Sequence, residues 1–214
     1  MKVELLYITR NPEKIIEIAG RTAHLSFDKQ EEDTEKSFIR MLIRKGHLSV
    51  LEHAYATFRI TGVSRAFTHQ LVRHRLCSFT QQSQRYVDEI DFRYIEPDSI
   101  KKNPQAHLLF TDLIAQTKKA YSILKKLGIQ NEDARYVLPN AVESQIVVTA
   151  NLREWRRIIE LRGRPNAQWE IRKVALEILK KFKAHVPTVF EDLTIDEKQL
   201  VISKEEGDHK SGDT

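Results

Sequence analysis

The residues that could do chemistry in this chain crowd into one stretch, Gln70 to Tyr86, which reads QLVRHRLCSFTQQSQRY. It brings together Arg73, Arg75, Arg85, His74, Ser78, Ser83, Gln81, Gln82 and Gln84, with little apolar material between them. A guanidinium presents a planar fork of donors matched to phosphate or carboxylate, and hydroxyl and amide groups add the hydrogen bonds that orient a flat ligand. A segment this polar is expected to lie outside the core. On residue types alone two readings are open, a site for a phosphorylated, flat, anionic ligand or a solvated basic loop.

The spacing adds to the composition. Arg73-His74-Arg75, two residues, Ser78, four residues, Ser83, one residue, Arg85-Tyr86 resembles the signature of the flavin-dependent thymidylate synthases. The resemblance covers roughly residues 35 to 190. It implies an enzyme that methylates dUMP to dTMP with 5,10-methylenetetrahydrofolate, using FAD reduced by NADPH. It further implies a homotetramer whose active sites are shared between subunits.

The elements that must position this stretch belong to a chain of 214 residues, long enough for one substantial core. We expect a single domain over residues 1–202, followed by a disordered polar tail, 203–214, which contains no apolar residue (SKEEGDHKSGDT). No apolar run approaches a membrane span, and MKVELLY at the start leads directly into charged sequence rather than a leader peptide. The single Cys77 excludes an internal disulfide and suits a reducing compartment, so a cytoplasmic protein is expected. There are 35 Lys and Arg against 30 Asp and Glu, and the excess gathers around the central stretch and between Asn151 and Lys173.

Val3 to Thr9 reads as a strand, and Asn11-Pro12 as a cap and first-turn Pro for a helix. Thr34 to Lys45 reads as a second helix stopped by Gly46. Ala54, Ala56, Phe58 and Ile60 alternate with Tyr55, Thr57 and Arg59, the pattern of a strand covered on one side. Ser64 then caps a helix that delivers the chain into Arg73. Pro104 opens a long helix to Leu127, with Leu109, Leu113, Tyr121, Leu124 and Leu127 as its apolar side and Gly128 after it. Asn131 is expected to cap a short helix, and Asn151 to cap a helix running from Arg153 to Arg162 after the β-rich SQIVVTA. Trp169 to Phe182 reads as a packing helix with Trp169 in the core.

Further matches surround the central motif. GHLSVLEHA holds His47, Ser49, Glu52 and His53, and two His with a Glu invite a metal reading. The spacing is not a helical i, i+4 pair, and no metal is assigned. The resemblance instead turns His47 and Ser49 toward the flavin, together with Arg73, His74, Arg75, Gln81, Asn151, Arg153 and Arg157. It surrounds dUMP with Gln70, Arg73, Gln81, Gln82, Ser83, Gln84, Arg85, Arg135 and Arg162. Arg135 lies in an Ala-Arg-x-x-Leu-Pro segment, and Arg162 in a Leu-Arg pair before AQWE. Physically, Arg73 and Arg85 are the phosphate candidates, and the amide of Gln70 suits a pyrimidine edge. Thr80 stands where many members have Asn, Gln81 where an acid is common, Arg157 where some have Asn, and Asn166 where some have His.

Arg162 shares a helix side with Trp155, Ile158 and Ile159. Two readings compete: it complements the helix dipole at a C-terminus, or it meets something anionic. The resemblance favours the second, making Arg162 the catalytic residue that attends the uracil ring. Uracil must become electron-rich at C5, and a fixed cation beside N3 and O2 stabilises that charge as it develops. The expected fold is α+β, a small, mainly antiparallel sheet packed by helices. With only 7 Gly and no glycine-rich dinucleotide turn, it is not a Rossmann fold, and FAD would be held by side chains. Small-molecule substrates are the expected partners, with no nucleic acid and no membrane. The competing reading is a basic single-stranded nucleic-acid binding module, which would use the same Arg and aromatic content.

Overall fold

The structure is a computed structural model and describes residues 1–204. Strand β1 (Lys2–Ile8) leads into α1 (Pro12–Thr22), which Pro12 begins because its fixed φ is already helical. Asn11, expected to cap with its side chain, instead takes a left-handed turn at φ 49 without a side-chain cap bond. Helix α2 (Thr34–Arg44) stops at Gly46, whose φ of 72 lies in the left-handed region that glycine adopts without steric cost. A 3-10 turn, Leu48–His53, connects to β2 (Tyr55–Ser64). Ser64 Oγ accepts from the Phe67 N–H to open α3 (Arg65–Leu71), and β3 (Ser78–Gln81) follows.

After the short α4 (Asp98–Lys101) comes the long α5 (Pro104–Lys126), capped by Asn103. In α6 (Asn131–Ala134), Gln130 holds the cap position that was expected of Asn131. Strand β4 (Glu143–Asn151) runs straight into α7 (Leu152–Arg162), where Asn151 caps as expected by accepting from the Glu154 N–H. The chain continues through α8 (Trp169–His185), α9 (Pro187–Phe190), β5 (Leu193–Asp196) and β6 (Val201–Lys204). Among the described residues no helix is long and apolar enough to cross a membrane.

The strand order is β1-β2-β4-β3, with β5-β6 a separate antiparallel pair. Main-chain bonds from Thr9 to Tyr55, from Leu152 to Ala54 and from Arg65 to Val142 run in opposite sequence directions along β1, β2 and β4, so these strands are antiparallel. The α+β class with a small antiparallel sheet and helices is therefore as expected. Ser203 and Lys204, assigned by composition to the tail, pair with Thr194 and Leu193 in β6. The rest of that expected tail, 205–214, lies outside the described residues.

The chain forms two compact units whose boundaries fall inside β2 and β4. The first comprises Met1–Lys2, Ile60–Arg73 and Phe79–Val147. Its apolar centre is Phe92, Ile114 and Val142, with Tyr94, Phe110 and Leu138 packed on it. Helix α5 buries Ile114, Thr117 and Tyr121. The apolar side expected from sequence is thus mostly the wrong one, because Leu109 and Leu113 are 72% and 53% exposed and Leu127 is exposed as well.

The second unit comprises Val3–Arg59, His74–Ser78 and the chain from Val148 onward. Its core is a run of rings: Phe58 meets Trp155 and Phe182 edge-on at 5.0 and 5.2 Å, and Phe182 stacks on Phe190 at 4.3 Å. Trp155 Nε1 donates to the Ala56 carbonyl at 3.0 Å, so the buried indole keeps its hydrogen bond. Buried Arg156 is held by both Asp192 oxygens at 2.7 Å and by the Val189 carbonyl. Trp169, expected in the core, is only half-buried, with Lys173 Nζ 5.0 Å from its ring centroid.

The β5-β6 pair closes onto the end of α7 at Gly163. The Ile202 N–H donates to the Gly163 carbonyl at 2.8 Å, and a Cβ at Gly163 would come within 2.6 Å of the Ile202 side chain. The Gly163→Ala variant is therefore expected to lose about 1–3 kcal/mol of stability through overpacking. Urea or guanidinium titration of the two proteins checks this, and an unchanged midpoint would show that the contact yields freely.

Candidate functional site

Side chains singled out from the sequence gather in two groups, one in each unit. In the first unit, β3 delivers Gln81 to Arg85 beside the start of α3, and backbone pairing of the Gln82 N–H to the Gln145 carbonyl fixes the segment against β4. Gln81 Nε2 donates to Thr68 Oγ1 at 2.8 Å and to Ser144 Oγ at 3.3 Å. Arg65 donates to the Gln82 carbonyl and to Gln84 Oε1, both at 3.2 Å, while Gln82 Nε2 donates to Glu89 Oε1 at 3.2 Å. The three glutamine amides are thus engaged within the chain and shape the loop. Gln84 is 8% exposed, so the expectation that the whole stretch avoids the core fails there.

The network around Arg65 is electrostatically stressed. Burial pulls the Arg65 pKa down, with Glu89 opposing that and Arg135 adding to it. Burial likewise pushes the Glu89 carboxyl up, opposed by its Gln82 hydrogen bond and by Arg65. The two ligand candidates Arg85 and Arg135 both contact Glu132. Arg85 Nε lies 2.6 Å from Glu132 Oε2, and Arg135 Nε donates to the Glu132 carbonyl at 3.0 Å. One acidic residue at the start of α6 thus ties the two guanidiniums, beside a polar depression of about 380 Å³ that includes Tyr86 and Lys125. In that depression Asn131 Oδ1 is buried without a hydrogen-bond partner among the described residues. Ser83 Oγ accepts from the Arg85 N–H at 3.2 Å, a local turn that holds the loop's shape. Gln70 is half-buried and Arg73 exposed.

In the second unit the frame is α7. Asn151 caps it, Arg153 in the first turn pairs with Glu52 at 2.5 Å, Arg157 is exposed one turn on, and Arg162 closes the helix. His47, Ser49 and Arg75 are exposed. His74 is 6% exposed, a second place where the polar stretch enters the core. Arg162 Nε donates to His74 Nε2 at 3.0 Å, and Glu154 Oε1 faces His74 Nδ1 at 3.4 Å. Burial, then the charges of Arg162 and Arg157, lower the His74 pKa to about 4, so the ring is neutral at pH 7. Burial, with Glu154 adding to it, pushes the Cys77 thiol up to about 12, which leaves it a poor nucleophile at neutral pH.

The sequence did not single out Arg65, Thr68, Ser144, Glu89, Glu132 or Glu154. Glu154 alone had a local signal, since Asn-x-x-Glu is the spacing of a capping box. That motif sends the carboxylate back to the cap, whereas here it faces His74. The others act through pairings separated by up to 63 residues, as in Gln81 to Ser144. Among the described residues no group of three or more His, Cys, Asp or Glu is arranged to hold a metal ion.

The family model described as thymidylate synthase complementing protein matches residues 4–188. The chain is 43% identical over 191 residues to a flavin-dependent thymidylate synthase of Pyrococcus abyssi, covering 85% of this chain and 78% of that one. It is 42% identical over 200 residues to the protein of the same name from Geobacter sulfurreducens, covering 90% and 86%. In three dimensions it resembles the Helicobacter pylori flavin-dependent thymidylate synthase solved with FAD and dUMP. That match has a TM-score of 0.76 at 24% identity over 90% of this chain and 99% of the other, a likeness of fold.

The His74 environment has a pH consequence. Its folded pKa, about 4, lies below the ordinary value near 6.5, so between these the unfolded chain binds a proton that the folded chain does not. Stability from the neutral ring is complete above about pH 6.5 and is lost as pH falls toward 4, by at most about 3 kcal/mol. NMR titration of His74 alongside unfolding at pH 7, 5.5 and 4.5 checks this. A His74 midpoint near 6.5, or a His74→Asn variant with the same acid sensitivity, would contradict it.

Proposed function

Because this chain belongs to the flavin-dependent thymidylate synthases, we propose that it methylates dUMP to dTMP, with 5,10-methylenetetrahydrofolate as carbon donor and FAD reduced by NADPH. When bound, the flavin supplies the hydride and the folate the methylene group. Binding, orientation and charge come from the chain itself.

Residues suited to an anionic dinucleotide lie on the second unit. Arg75, Arg153 and Arg157 are exposed guanidiniums, the last two one turn apart on α7. They offer the planar donor forks that a pyrophosphate requires without a glycine-rich turn. Exposed His47 and Ser49 add further hydrogen-bonding groups. Asn151 acts by fixing the first turn from which Arg153 projects. The phosphate of dUMP suits the first unit. Arg85 and Arg135, held by Glu132, and exposed Arg73 supply the cationic groups. Gln70 suits the pyrimidine edge, and Gln81, Gln82 and Gln84 keep the loop around Ser83 in one shape.

The observation that carries this reading is the contact of Arg162 with His74. A neutral imidazole satisfies the guanidinium Nε without cancelling its charge at that contact. A half-buried cation of that kind can lower the energy of negative charge developing on uracil N3 and O2. The chemistry does not call on Cys77, whose thiol stays protonated at neutral pH. We further propose a homotetramer with shared sites. It is supported by the α5 face carrying exposed Leu109, Leu113, Ile123 and Leu127, an apolar helical stripe of the kind that another copy covers.

The purified protein is expected to show a flavin absorption band that anaerobic NADPH bleaches; a protein that stays colourless after incubation with FAD would overturn the reading. Arg162→Ala is expected to keep that band while turnover falls roughly 100- to 1,000-fold, and an unchanged turnover number would remove Arg162 from the mechanism. Arg85→Ala is expected to weaken dUMP about 10- to 100-fold, the range for a hydrogen bond to a charged group, with deoxyuridine little affected. Equal losses for the two ligands, measured by calorimetry, would exclude a phosphate contact.

A further inference from the structure

We propose that Glu154 is a positioning residue: through the buried ring of His74 it holds the Arg162 guanidinium for its work on the uracil ring. The inference rests on the role given to Arg162 above. Glu154 and Arg162 both lie on α7, eight residues apart, which is a rise of about 12 Å, too far for direct contact between neighbouring turns. The segment that follows α3 brings His74 against this helix, and its two ring nitrogens meet the two residues. Glu154 Oε1 lies 3.4 Å from Nδ1, and Arg162 Nε lies 3.0 Å from Nε2.

The donor inventory fixes the protons. The Nε–H of an arginine can only donate, so His74 Nε2 is the bare acceptor and the single ring proton sits on Nδ1. That proton faces a carboxylate, which when ionised can only accept. Turning the ring over would put Cε1–H where Nε2 stands, and moving its proton to Nε2 would set a donor against the Arg162 donor; either change removes this hydrogen bond. Glu154 disfavours both alternatives, because it matches only an Nδ1–H. The groups around it are accounted for. Burial raises the Glu154 pKa, the charges of Arg157 and Arg153 lower it, and Cys77 across from it stays a neutral thiol. A carboxylate that is 5% exposed is costly to bury without a polar neighbour, and His74 Nδ1 at 3.4 Å is such a neighbour. The arrangement has the logic of outer residues that set a histidine tautomer and orient the group doing the chemistry.

The test reads the ring proton directly. In the full chain with its flavin, 15N-labelled histidine spectra are expected to show His74 as the Nδ1–H tautomer, in the wild type and in Glu154→Gln. Glu154→Leu is expected to shift the ring toward Nε2–H. With it, kcat falls about 10- to 100-fold while the affinities for FAD and dUMP stay within about threefold; Glu154→Gln keeps kcat near the wild-type value. A wild-type Nε2–H ring, an unchanged kcat in Glu154→Leu, or a loss of FAD affinity equal to the loss of kcat would overturn the proposal. Should Glu154→Leu fail to fold, the wild-type tautomer and Glu154→Gln decide it. A wild type that makes no dTMP would instead remove the proposed function, while the tautomer would still judge the relay.

Discussion

A guanidinium at the end of a helix costs little in water, but Arg162 is half-buried, and its Nε is met by the imidazole of His74 at 3.0 Å. A carboxylate at that nitrogen would satisfy the donor and neutralise the charge together. A neutral ring satisfies the donor without neutralising the charge at that nitrogen, provided the ring stays neutral and in one tautomer. Burial and the neighbouring arginines secure the first condition, and the facing Glu154 secures the second. Much of the second unit supports this one constraint. The Asn151 cap sets the phase of α7, and the Phe58, Trp155 and Phe182 rings anchor its inner face.

The first unit applies a related solution to a loop. A segment with so many polar side chains gains little from apolar burial, so it is ordered by hydrogen bonds instead. Gln81 is held by Thr68 and Ser144, Gln82 by Glu89, and Gln84 by Arg65. Glu132 engages Arg85 through its carboxylate and Arg135 through its main-chain carbonyl. Ordering of this kind keeps the donors arranged before any ligand arrives, which lowers the entropic cost of binding.

The two polar solutions depend on plain packing elsewhere. Buried Arg156 binds α7 to the α9 region through Asp192 and the Val189 carbonyl, and Gly163 lets the Ile202 side chain close over the end of the helix that carries Arg162. The outward apolar side of α5 follows a different logic, since its stripe has no packing role within its own unit.

Local signals in the sequence determined part of the secondary structure. Pro12, Gly46, Ser64, Asn103 and Asn151 act within one turn of themselves, and the alternation from Ala54 to Ile60 has the period of a strand, so those elements lie where composition puts them. The spacing from Arg73 to Arg85 likewise identified the family. Periodicity could not say which side of α5 faces inward, because both sides carry apolar residues and the choice belongs to Phe92 and Val142, distant in sequence. Nor could it show that His74 and Gln84 are buried, or that Glu154 serves a histidine 80 positions away rather than its own helix cap. Those outcomes rest on hydrogen-bond matching between donors and acceptors far apart along the chain. Only the tertiary structure brings such groups within 3 to 4 Å, the range in which one nitrogen's proton decides what its neighbour can do.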